Sequence, residues 1–76
     1  MTEFNHELDA CGLNCPLPVL RTKKTLDKMA SGEVLRVIAT DPGSVEDIGS
    51  LARQTGYEML ESRQESDKYV FLLKKG

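Results

Sequence analysis

The chain has no apolar run longer than the five residues from Tyr69 to Leu73, and a membrane-spanning helix needs about 20. Basic residues are not in excess: ten Lys and Arg stand against twelve Asp and Glu, for a net charge of -2. General nucleic-acid binding, which draws its affinity from neutralising phosphates, is therefore not expected. The N-terminal stretch Met1-Thr2-Glu3-Phe4-Asn5-His6-Glu7 lacks both a basic start and an apolar segment, so no secretory signal is expected and the cytoplasm is the expected compartment. No repeat, linker or low-complexity stretch appears, and residues 1–76 read as one small domain. A chain of this size buries only about 60% of its unfolded surface. That leaves no room for a deep substrate cavity, and any chemistry should sit at the surface and be shared with a partner.

Histidine is nearly absent. His6 alternates with Phe4, Leu8 and Ala10 and reads as a satisfied side chain at the margin of a strand. Without a histidine or lysine next to a cysteine, a hydrolase built on a Cys–His pair is disfavoured. Cysteine is scarce too, with only Cys11 and Cys15 in Cys11-Gly12-Leu13-Asn14-Cys15. In a reducing compartment two such residues suggest chemistry or metal binding before a structural disulfide. Three ligands drawn from His6, Cys11 and Cys15 fall short of the four of a structural zinc site. The C-x-x-x-C spacing is one residue longer than the thioredoxin-type pair. Neither a metal nor a cofactor is expected.

The residues that are present set out an order of elements. Phe4 to Ala10 alternates apolar and polar and predicts a strand. A helix starts at Pro16, since proline suits the first helical position. Val19, Thr22, Leu26, Met29 and Ala30 recur at helical spacing and should face the core, and Gly32 supplies the stop. Glu33 to Thr40 reads as an interior strand, apolar on both faces apart from Arg36. Asp41-Pro42-Gly43-Ser44 is turn chemistry, with Ser44 capping a second helix in a capping-box-like arrangement with Asp47. Val45, Ile48, Ala52 and Thr55 form that helix's inner stripe, with Leu51 alongside, and Gly56 ends it. Tyr57 to Arg63 and Lys68 to Lys74 read as two strands joined by Glu65-Ser66-Asp67. The order β-α-β-α-β-β predicts an α/β (α+β) two-layer sandwich, with two helices on one face of a four-stranded mixed sheet. The last two strands should form an antiparallel hairpin.

Cys15 carries the strongest chemical signal. It occupies the expected N-cap position, where the helix dipole favours an anion and lowers a thiol pKa. An isolated cysteine is often an inert small hydrophobe, and placement before Pro16-Leu17-Pro18 shifts the balance toward reactivity. The two prolines have no N–H, so Leu17 is the one first-turn donor left for the sulfur. The expected activation is modest, and the prolines should hold the sulfur in one exposed orientation. On the first helix Arg21, Lys24 and Lys28 fall at i, i+3 and i+7 with Lys23 beside them. This is either an ordinary solvated face or a docking stripe for an acidic partner.

The segment Leu8-Asp9-Ala10-Cys11-Gly12-Leu13-Asn14-Cys15-Pro16-Leu17-Pro18 resembles the TusA/SirA-like family of sulfur carriers, whose Cys-Pro-x-Pro motif is matched by Cys15, Pro16 and Pro18. Gly32-Glu33 and Thr40-Asp41-Pro42-Gly43-Ser44 extend the resemblance over essentially the whole chain. It implies a two-layer sandwich and a persulfide on Cys15 that is accepted and relayed. It implies a cysteine desulfurase or rhodanese as donor and a downstream sulfur-relay protein as acceptor. The family's settings are tRNA thiolation, molybdenum-cofactor biosynthesis and sulfur oxidation, with relatives linked to selenium metabolism. Cys11 is a second thiol beyond the core motif. The competing expectation is a thiol-redox or regulatory module that uses a reversible Cys11–Cys15 disulfide.

Overall fold

The computed structural model describes residues 4–14 and 17–76. Its elements run β1 (His6–Ala10), α1 (Leu17–Asp27), β2 (Val34–Ala39), α2 (Ser44–Thr55), β3 (Glu58–Glu65) and β4 (Lys68–Lys74). The strands form one sheet in the order β1-β2-β4-β3. β1 is parallel to β2, while β4 runs antiparallel to both β2 and β3. The expected mixed sheet and terminal hairpin are both present.

Alternation dictates the two faces. Leu35, Val37 and Ala39 of β2 and Phe71 and Leu73 of β4 are buried, and join Ala10 of β1 beneath the helices. Leu26 and Met29 close this core from the α1 side, and Ile48, Leu51 and Ala52 from α2. Thr22 is also fully buried, because its hydroxyl donates to the Pro18 carbonyl at 2.7 Å and so brings no unpaired polar atom into the core.

The opposite sheet face carries no helix, yet Val70 and Leu72 on it are buried as well. Across the register Val70 lies between Ile38 and Arg63, and Leu72 between Arg36 and Glu61. Ile38 and the long side chains of Arg36, Arg63 and Glu61 thus flank the two β4 residues. Side chains of this kind can cover apolar surface with their stems while the charged heads stay in water. The heads pair with one another: Arg36 with Glu7, and Arg63 with Glu61 and Glu65. Arg36 also lies over the Phe4 ring, 5.4 Å from its centroid.

Several expected boundaries are corrected. α1 ends at Asp27, short of Gly32, because Lys28 and Met29 bond back three residues, to Thr25 and Leu26. Met29 therefore reaches the core from a turn, and Ala30 is exposed. Gly32 serves that turn at φ 87°, and its N–H donates to the Lys75 carbonyl at 2.6 Å. Ser44 is not the cap of α2. Gly43 is, without a side-chain cap bond, and Ser44 is buried with its hydroxyl donating to the Asp41 carbonyl at 2.6 Å. Val45, expected inside, is 41% exposed. At the other end Gly56 closes α2 in the left-handed conformation, as expected. Phe4 and Tyr57 fall outside their strands, and β3 runs on to Glu65 with a bulge between Met59 and Glu61.

Glu33 fastens the turn after α1. Its Oε1 accepts the Ala30 N–H at 2.8 Å and lies 3.1 Å from His6 Nε2. The Ala30 N–H first, and then His6, hold the Glu33 carboxyl below its ordinary value of 4.5. A carboxyl lowered in the folded state contributes stability that is present above the unfolded value and lost as pH falls through the folded one. Glu33→Gln should therefore lower stability near neutral pH and flatten its loss below pH 4.5. Urea midpoints measured from neutral pH downward check this, and an acid limb as steep as in the unaltered chain would contradict it.

Candidate functional site

The strand directions gather three connections at one end of the sheet. The loop from Cys11 to Asn14, the Asp41–Gly43 turn and the Ser66–Asp67 turn all lie beyond the same edge. Both helices begin there, so the positive ends of two helix dipoles point toward it.

Cys15 and Pro16 lie outside the described residues, so the expected N-cap placement of the Cys15 sulfur falls there too. Their flanks are defined. Pro18 is buried and anchors the first turn of α1 in the core, whereas Leu17 is 44% exposed. The Leu17 N–H, expected as the free donor for the sulfur, donates instead to the Asn14 carbonyl at 2.8 Å. An i to i−3 bond at a helix start takes up that donor locally, so the Leu17 N–H is not the free donor expected.

The second thiol, on Cys11, lies within the described residues. The chain leaves β1 through three successive bound N–H groups. Cys11 N–H donates to Asp9 Oδ1 at 3.0 Å, Gly12 N–H to Thr40 Oγ1 at 2.9 Å, and Leu13 N–H to the Ala10 carbonyl at 3.3 Å. Gly12 turns at φ 80°, a conformation that suits glycine. The Cys11 N–H, and then its side chain, hold the Asp9 carboxyl below its ordinary 3.8. Asp9 in turn, with some desolvation, pushes the Cys11 thiol up. Cys11 is half-buried and poorly disposed to ionise.

His6 and Cys11 sit at opposite ends of β1. Five residue-to-residue steps along extended chain separate them by about 16 Å, so the three-ligand set weighed from the sequence is not brought together. His6 pairs with Glu33 at the strand margin, as expected.

The cationic residues Arg21, Lys23, Lys24 and Lys28 are all exposed. Lys23 pairs with Asp27 at 3.5 Å. Lys28 lies past the end of α1, so the regular helical spacing covers only Arg21 and Lys24. Sequence reasoning missed the exposed pair Leu17 and Leu20, at 44% and 55% exposure. The signal was there: 17, 20 and 24 share one helical face, opposite the inner positions 18, 22 and 26. Beside Leu20, a shallow groove between the helices is lined by Val19, Lys23, Asp47, Leu51 and Gln54.

A two-layer α+β domain with a Cys-Pro-x-Pro segment leading into its first helix defines a class of small thiol-bearing carriers. The family model described as Sulfurtransferase TusA matches residues 6–75, and the chain belongs to that family. It is 63% identical over 75 residues to the sulfur carrier protein TusA of Allochromatium vinosum, covering 99% of each chain. A solved structure, the SirA-like protein of Desulfitobacterium hafniense, superposes with a TM-score of 0.84 at 27% identity, covering 95% of this chain and 99% of that one. The expected family and fold class are thereby shown. Among the described residues no helix is long and apolar enough to cross a membrane.

Proposed function

We propose that the chain is a sulfur carrier that accepts sulfane sulfur as a persulfide on Cys15 and passes it to a thiol of a partner protein. The observation that carries this reading is Cys15-Pro16-Leu17-Pro18 leading into α1, within a chain that belongs to the sulfurtransferase family across residues 6–75. A cysteine desulfurase or rhodanese supplies the sulfur, and a downstream relay protein removes it in tRNA thiolation, molybdenum-cofactor biosynthesis or sulfur oxidation. Each transfer is a thiolate attack on the outer sulfur of a persulfide, releasing the donor cysteine as the leaving thiolate. Such a relay needs no metal or cofactor on the carrier and suits the reducing cytoplasm. Incubated with a cysteine desulfurase and sulfur-labelled cysteine, the chain should gain label that a thiol reductant releases. Absence of label would sink the reading.

The redox alternative requires Cys11 to form and open a disulfide with Cys15. The Asp9 carboxylate beside Cys11 disfavours the thiolate that such exchange needs. Cys11→Ala should therefore load sulfur at the unaltered rate, read by the same label. Loss of loading in that variant, with its circular dichroism unchanged, would restore the two-cysteine reading.

Partner docking falls on the outer face of α1. Leu17 and Leu20, in the helix that follows Cys15 in sequence, supply exposed apolar contact, and Arg21, Lys24 and Lys28 extend the surface with positive charge. An acidic rim around an apolar patch is the complementary partner surface, and charge of this kind acts more on encounter rate than on affinity. Replacing Arg21 and Lys24 together by Glu should slow transfer at low salt by about tenfold and weaken its salt dependence. Equal transfer rates at low salt would mark the stripe as an ordinary solvated face.

A further inference from the structure

A thiol four residues from a persulfide threatens the sulfur it carries. Tethering on so short a segment gives two groups an effective concentration on the order of millimolar. If the Cys11 thiolate attacked the inner sulfur of Cys15–S–SH, a Cys11–Cys15 bond would form as the inner–outer S–S bond broke. The sulfane sulfur would leave as hydrosulfide with the proton it already carries, and the proton released from Cys11 would pass to solvent. The sulfane sulfur is reduced by two electrons, and the two cysteines are oxidised to a disulfide. A carrier with both residues therefore needs some device that makes this step slow.

Asp9 stands where such a device is required. Its Oδ1 accepts the Cys11 N–H at 3.0 Å, which turns the carboxylate back onto the residue two positions on. Thr40 on β2 takes the next N–H at 2.9 Å, and the Ala10 carbonyl the one after at 3.3 Å, so the departure from β1 is pinned to the sheet. The other charged groups facing Cys11 are Lys68 on β4 and Asp67 in the turn before it, of opposite sign to each other. We infer that Asp9 is a positioning residue that withholds Cys11 from exchange on Cys15, so that loaded sulfur leaves to a partner's thiol and not as sulfide. The inference rests on the carrier reading of Cys15.

Asp9→Asn tests it, because the amide oxygen still accepts the Cys11 N–H while the charge is removed. In a Cys15→Ser background, alkylation of Cys11 by iodoacetamide reads that thiol alone. Removing a unit charge at contact distance in a water-like dielectric changes an ionisation equilibrium about fivefold, so Asp9→Asn should alkylate about fivefold faster below the thiol's midpoint and shift the pH profile downward. With Cys15 restored and loaded by a cysteine desulfurase and cysteine, the Asp9→Asn persulfide should decay faster, with sulfide released. Adding Cys11→Ala should return it to the unaltered lifetime. An unchanged alkylation profile overturns the inference, as does faster alkylation without faster persulfide decay. Should Asp9→Asn fold poorly, the Cys15→Ser chain suffices: folded Cys11 must alkylate with a midpoint above that of the same chain in urea, and coincident midpoints overturn the inference. Failure of the unaltered chain to load sulfur would refute the carrier reading, and the alkylation profiles would still judge Asp9's hold on Cys11.

Discussion

Cys15→Ser is expected to abolish sulfur loading by a cysteine desulfurase, down to the level of a chain with no cysteine. A serine hydroxyl neither ionises near neutral pH nor forms a persulfide, so no weaker version of the chemistry survives the exchange. The remaining thiol cannot substitute. Asp9 pushes Cys11 away from its thiolate, and Cys11 sits at the end of β1 and not at the start of α1. Labelled loading of the four combinations of Cys11→Ala and Cys15→Ser separates the roles. Label should follow Cys15 alone. Label retained in Cys15→Ser and lost in Cys11→Ala would invert the assignment.

The second large effect is on stability. Among the described residues Phe71 is the largest fully buried side chain, in the core on interior strand β4. Phe71→Ala removes its contacts and leaves a cavity, at a cost of about 3–5 kcal/mol. Domains carry roughly 0.05–0.15 kcal/mol of stability per residue, which for this chain is about 4–11 kcal/mol. The variant should therefore lose from about a quarter to all of its stability, with its urea midpoint shifted far down. By contrast, Leu20→Ala on the exposed face of α1 should lie within about 0.5 kcal/mol of the unaltered chain. Similar midpoints for the two variants would mean that the core is not where the sheet and helices meet.

Much of this was legible because the periodicities are strong. The two-sided apolarity of Glu33 to Thr40 pointed to the interior strand β2, and the apolar run Tyr69 to Leu73 fell within β4. Asp41-Pro42-Gly43 and Gly56 bracketed α2 to within a residue. The sheet order could not be read, since alternation says which face a residue takes and not which strand lies beside it. The end of α1 was misjudged because Met29 continues the inner stripe from a turn, where i−3 bonds imitate helical spacing. Ser44 misled in a similar way: its hydroxyl bonds backward to Asp41 when a capping residue would bond forward. At the candidate site the motif pointed directly to Cys15. The restraint on Cys11 depends on an aspartate that bonds the backbone two residues on, a habit of Asp that Asp9-Ala10-Cys11 could have suggested. Its consequence for the thiol appears only once the strand end and Thr40 fix the loop.

Relay through Cys15 requires that the sulfur sit on that residue. The first Lys or Arg is Arg21, so the tryptic peptide 1–21 holds both cysteines, and total mass alone cannot separate them. The decisive measurement is fragmentation of that peptide from chain loaded by a cysteine desulfurase and alkylated to cap the persulfide. The fragment ions between Cys11 and Cys15 should place the added mass of one sulfur atom, about 32 Da, on Cys15 with Cys11 carrying none. The same mass on Cys11, or shared equally between the two residues, would contradict the assignment.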